Sequence, residues 1–79
     1  METQNSTTDI EHSSRLRRYL AFEHAKTKEP VRFRNWLAVT FNCHVEVTEK
    51  IAGLDANYRL FFDSPSKKLL FEMKYAEYL

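Results

Sequence analysis

From position 31 to 48 the chain alternates almost without a break between apolar and polar side chains. The odd positions hold Val31, Phe33, Asn35, Leu37, Val39, Phe41, Cys43, Val45 and Val47, and only Asn35 among them is polar. Strict alternation is the mark of a half-buried strand. The first half of the run carries a second period. Phe33, Trp36, Leu37, Thr40, Phe41 and His44 stand three or four residues apart, which places them on one face of a helix. Length decides between the two, because a single strand here would far exceed the usual ~5–6 residues. A helix over 30–42 followed by a strand over 43–48 accommodates both periods. Pro30 suits a first helical position, where its missing N–H costs nothing. Asn42 tolerates the left-handed conformation that ends many helices. Cys43, Val45 and Val47 then face inward.

Upstream, Thr8 and Glu11 have the spacing of a capping box, in which hydroxyl and carboxylate satisfy each other's backbone N–H. A first helix is expected over 9–27, with Leu16, Tyr19, Leu20, Phe22 and Ala25 on its apolar side. Pro30 disfavours helical geometry at Glu29 and so separates the two helices. Residues 1–8 read as a flexible N-terminal tail and residues 9–79 as one small domain.

Downstream, Gly53, Asp55 and Asn57 suit a turn or loop over 49–57. Residues 58–63 and 68–75 alternate again around the polar cluster Asp63, Ser64, Pro65, Ser66 and Lys67, which reads as a β-hairpin. A helix capped by Ser64 with Pro65 at its first position is the rival. The apolar residues from Leu69 to Leu79 scatter around a helical wheel, and that scatter favours the hairpin. The fold class expected is α+β, with two N-terminal helices packed on a three-stranded antiparallel β-meander. The alternatives are one helix with four strands, or an α-β-β-β-α order.

A chain of 79 residues buries a smaller share of its surface than a larger one. Its six Phe, four Tyr and single Trp therefore carry much of the core. Trp36→Ala is expected to be the most damaging single change. One cysteine excludes an internal disulfide, whereas secreted domains of this size usually carry several. No run approaches the ~20 apolar residues that span a bilayer. A cytoplasmic location without membrane attachment is the expectation.

Catalytic patterns are absent from the sequence. His12, His24, His44 and Cys43 match no zinc spacing. One glycine cannot build a phosphate loop. Cys43 and His44 are neighbours, and a strand would send them to opposite faces. No enzyme activity, metal or cofactor is expected.

Charge is the informative asymmetry. Seven of the twelve bases fall within residues 15–34, namely Arg15, Arg17, Arg18, Lys26, Lys28, Arg32 and Arg34, against only Glu23 and Glu29. Five of the seven are arginine, which makes forked contacts to carboxylate or phosphate. These seven are the candidate binding residues. The function expected is a non-enzymatic protein-interaction module, such as a small adaptor, regulator or inhibitor, with an Arg- and aromatic-rich surface. The alternative is a nucleic-acid-binding module that sets the same bases on phosphates. A net charge of +1 is low for that second role. Homodimerisation through the open edge of a last strand, at Tyr75 to Leu79, is a third partner class.

Overall fold

The computed structural model describes residues 6–79. Its elements run β1 (Thr7–Ile10), α1 (Arg15–Thr27), α2 (Phe33–Phe41), β2 (His44–Ile51), β3 (Leu54–Phe61) and α3 (Pro65–Lys74), closed by a 3-10 turn, Ala76–Tyr78. The three strands form one antiparallel sheet in the order β1-β3-β2. The fold is thus mixed α+β, with two helices ahead of the β2–β3 hairpin and a third behind it.

Three segments differ from the sequence reading, at 7–14, 49–57 and 64–75. The third strand comes from the N-terminal side. Thr8 and Ile10 point inward and Asp9 outward, a period of two that the capping-box reading passed over. The Thr8 hydroxyl donates instead to Glu72 Oε2 at 2.8 Å. The helix begins six residues later than expected, where Ser14 accepts from Arg17 N at 3.0 Å and its own hydroxyl donates to the Glu11 carbonyl. Residues 1–5 of the expected tail lie outside the described residues, and Thr7 and Thr8 belong to the sheet.

The second difference is α3. Ser64 caps it by accepting from Lys67 N, and Pro65 opens it. The hairpin expected over 58–75 is replaced by a strand followed by a helix, so no strand edge exists at Tyr75 to Leu79. The actual hairpin joins β2 to β3 through Ala52 and Gly53, both at positive φ, 54° and 81°. Two successive left-handed residues make the tight turn whose twist matches paired strands. The strands accordingly reach into the stretch read as a loop.

The middle of the chain follows the expected order. α2 ends at Asn42 in the left-handed conformation, φ 49°. Pro30 lies ahead of the helix, whose cap position is held by Arg32.

All three helices cover one face of the sheet. Leu16 and Leu20 from α1, Leu37 from α2 and Phe71 from α3 meet Ile10, Tyr58 and Leu60 from the strands and Phe62 just beyond β3. Leu20, Leu37 and Leu60 are completely buried. Burial of each such side chain contributes roughly 1.5–3 kcal/mol. Phe41 and Phe71 meet edge to face at 4.9 Å and tie α2 to α3. Tyr19 stacks on Tyr78 at 4.3 Å and holds the C-terminal turn against α1. Trp36 is only half-buried and packs against this core from outside. Its indole meets His24 of α1 and Phe33 and Phe41 of its own helix, so it flanks the fully buried layer.

The opposite sheet face carries polar residues. Asp9, Arg59 and Glu46 share one row across the three strands. Arg59 donates to both Asp9 oxygens, at 2.6 and 3.1 Å. That hydrogen bond holds the Asp9 carboxyl below the usual carboxylate range.

Candidate interaction surface

The seven bases of the sequence-predicted site do not form one patch. α1 extends about 20 Å along its axis, so Arg15 at its start and Lys28 beyond its end lie at opposite limits of the helix. Arg15 and Arg18 are exposed. Lys26 pairs with Glu23 at 3.2 Å and leans over Phe22. Lys28 is the left-handed cap of α1, and Arg32 caps α2.

Arg17 has a different role. Its guanidinium lies 4.3 Å from the Phe33 ring centroid and 5.5 Å from that of Tyr58, a cation–π arrangement. Its Nε is buried without a hydrogen-bond partner among the described residues. Arg17 thus straps α1 to α2 and β3. Burial pushes the Tyr58 hydroxyl upward, and Arg17 and Arg34 both oppose that shift. These two arginines, one from each helix, are the members of the predicted set that the fold draws toward a common residue.

His24 is likewise committed to packing. It lies between Phe33 and Trp36, with Nε2 2.6 Å from the Val31 carbonyl. A carbonyl only accepts, so Nε2 carries the proton. Cys43 is half-buried against the core, and burial pushes its thiol up to about 11. A thiol so placed is protonated at neutral pH and is a poor nucleophile. His44 turns to the other sheet face, 3.2 Å from Glu46. The separation of Cys43 from His44 expected from strand alternation is what the fold has.

A surface that the sequence reading missed lies on α3. Phe71 and Tyr75 are buried, whereas Leu69, Leu70 and Met73 are 57, 66 and 64 % exposed. The helix therefore has two apolar sides, one spent on the core and one facing outward. The outward side continues into a groove of about 250 Å³ between α2, β3 and α3. Its lining combines buried Phe62 and Phe71 and half-buried Phe41 with exposed Asn42, Lys67, Leu70 and Lys74 at its mouth. Lys67 pairs with exposed Asp63 at 3.0 Å. The Lys74 ammonium lies 5.5 Å from the Tyr75 ring. The volume falls below the ~300–1,000 Å³ of small-molecule pockets and suits one or two apolar side chains. The signal available beforehand was the wheel scatter itself, since apolar residues on two sides of a capped helix describe a helix with two contact surfaces.

Among the described residues, no cluster of His, Cys, Asp or Glu could hold a metal ion, and no helix is long and apolar enough to cross a membrane. Comparison with protein-family models, with curated proteins and with solved structures finds no match.

Proposed function

We propose that this chain is a non-enzymatic protein-interaction module, an adaptor, regulator or inhibitor that works by occupying a surface of another protein. The observation that carries this reading is the outward apolar face of α3, Leu69, Leu70 and Met73, continuous with the groove beneath it. Contiguous exposed apolar surface rimmed by polar groups marks interaction sites. Arg15, Arg18, Lys28, Arg32 and Arg34, exposed elsewhere on the surface, would supply long-range steering. The experiment is capture of partners from the native lysate with nuclease present, using wild type and Leu69→Ser/Leu70→Ser/Met73→Ser. A defined protein retained by wild type and lost by the variant is the expected result. Equal retention by both counts against α3 as the contact.

A second reading rests on a separate observation. Arg15, Arg18, Lys28 and Arg32 are exposed and make no ion pair among the described residues. Together with Arg34 they are available to phosphates. Nucleic-acid binding through four or five of them would weaken by roughly two to three orders of magnitude between ~50 and ~200 mM salt. Arg15→Ala/Arg18→Ala/Arg34→Ala would flatten that slope. Arg17 is left out because removing it also removes packing on Phe33.

A further inference from the structure

We propose that the occupant of the α3 face is an amphipathic helix of a partner protein, apolar on one side and acidic along its flanks. The proposal rests on the interaction reading above and names the chemistry of the partner.

The first argument is shape. α3 spans about 15 Å, and its outward apolar residues form a ridge along the axis. Leu69, Leu70 and Met73 recur at the i, i+1, i+4 spacing that a second helix packs against. The groove beside Leu70 accepts an apolar anchor, with Phe41, Phe62 and Phe71 as its walls. Helix-in-groove recognition uses anchors at i, i+3 or i+4, and i+7.

The second argument is charge. Lys67 and Lys74 stand seven residues apart on the same side of α3 as Leu70, one at each end of the groove mouth. Lys74 has no carboxylate partner among the described residues. The Lys67–Asp63 pair is exposed on both sides, and such pairs are worth little and exchange readily. Lys68 is not available, because it turns toward Glu72, which the Thr8 hydroxyl also reaches. The mouth therefore presents two positive charges about 10 Å apart along the axis. Carboxylates two turns apart on a partner helix match that spacing.

The same charges disfavour a second copy of this chain as occupant. An antiparallel pairing of two α3 helices centred between Leu70 and Phe71 sets Lys67 of one against Lys74 of the other. A parallel pairing sets each lysine against its own counterpart. Both arrangements bring like charges together at the edge of an apolar contact, which costs specificity and affinity.

The test is selection from a displayed library of 14-residue helix-forming peptides with random apolar, acidic, basic and neutral positions. Wild type is expected to enrich apolar residues at i, i+3 or i+4, and i+7, with Asp or Glu seven residues apart beside them. A synthetic peptide of the enriched sequence should lose roughly tenfold or more in affinity for Lys67→Glu/Lys74→Glu. The same peptide with its acids changed to lysine should recover. Both substituted positions are exposed, and an unchanged far-UV spectrum and melting temperature confirm that the variant folds. Enrichment of basic or uncharged sequences, or no enrichment at all, overturns the proposal. So does a concentration-dependent dimer that Leu70→Glu dissolves, which would make a second copy the occupant. If the selection fails while Leu69→Ser/Leu70→Ser/Met73→Ser still loses its captured partner, the acidic-helix assignment falls and the interaction reading stands. If the triple variant keeps its partner, both fall.

Discussion

Arg17 and Cys43 show how far the same residue type can be turned by its neighbours. Arg17 sits among six other bases in sequence, yet its guanidinium is spent on the Phe33 ring and its Nε is sealed from water. Nothing in the spacing of Arg15, Arg17 and Arg18 separates the packing arginine from the two exposed ones. That distinction depends on where α2 crosses α1. Trp36 is covered less than its size suggests, because only the crossing geometry decides how much of an indole is buried. Cys43 was legible, because alternation alone sends it inward and His44 outward. Its environment has a measurable result. The folded thiol titrates near 11, whereas a thiol in the unfolded chain ionises near ~8.5. Between those values the unfolded state has lost a proton that the folded state keeps, so stability falls as pH rises through that window and is fully retained below it. Urea unfolding at intervals from pH 8 to 10 should show this decline in wild type and a flatter profile in Cys43→Ala. Above ~10 the buried hydroxyls of Tyr58 and Tyr75, both pushed upward by burial, extend the decline in both proteins.

At the scale of elements, α2 and β2 were readable because two periods meet at Asn42, and a left-handed cap lets one give way to the other. The segment 65–74 was not, although Ser64 and Pro65 form a complete start signal. Its alternation is real, but so is its helical pattern. Leu69 and Met73 complete a strand period with Phe71 and Tyr75 only because they are apolar for a purpose other than the core, and Leu70, on the other side of that alternation, already breaks it. The β2–β3 turn offers a clean test of local backbone chemistry. Ala52 sits at φ 54°, a region that costs an L-residue with a Cβ roughly 1–2 kcal/mol, and asparagine is favoured before glycine in such turns. Ala52→Asn should stabilise the protein by about 0.5–1 kcal/mol, read as a melting temperature several degrees higher. An unchanged or lower melting temperature would mean that the turn is not under this strain.

For the molecule as a whole, the class was legible and the topology was not. Two helices ahead of antiparallel strands follow from periodicity. That β1 pairs with β3, fifty residues away, depends on contacts no local pattern encodes. The fastening is equally remote. The Thr8 hydroxyl bonds Glu72, 64 residues away in sequence, so the first strand and the last helix hold each other. Thr8→Val keeps the shape and removes the donor, leaving a half-buried carboxylate with only Lys68 at 4.0 Å. A loss of about 1–3 kcal/mol in urea unfolding is expected, with Glu72→Gln giving a smaller loss than Thr8→Val, since an amide still accepts the hydroxyl.

The placement of β1 at the sheet edge also orders events in time. The β2–β3 ribbon closes through a two-residue turn, a microsecond process, and the helices condense on neighbours close in sequence. The pairing of Thr7–Ile10 with β3 must wait until a long loop of chain has been gathered, because its entropic cost comes before its reward. The N-terminal strand is thus expected to be the last piece to arrive during folding and the first to leave, a clasp whose Thr8 and Ile10 amides should exchange with solvent sooner than those of the β2–β3 pair.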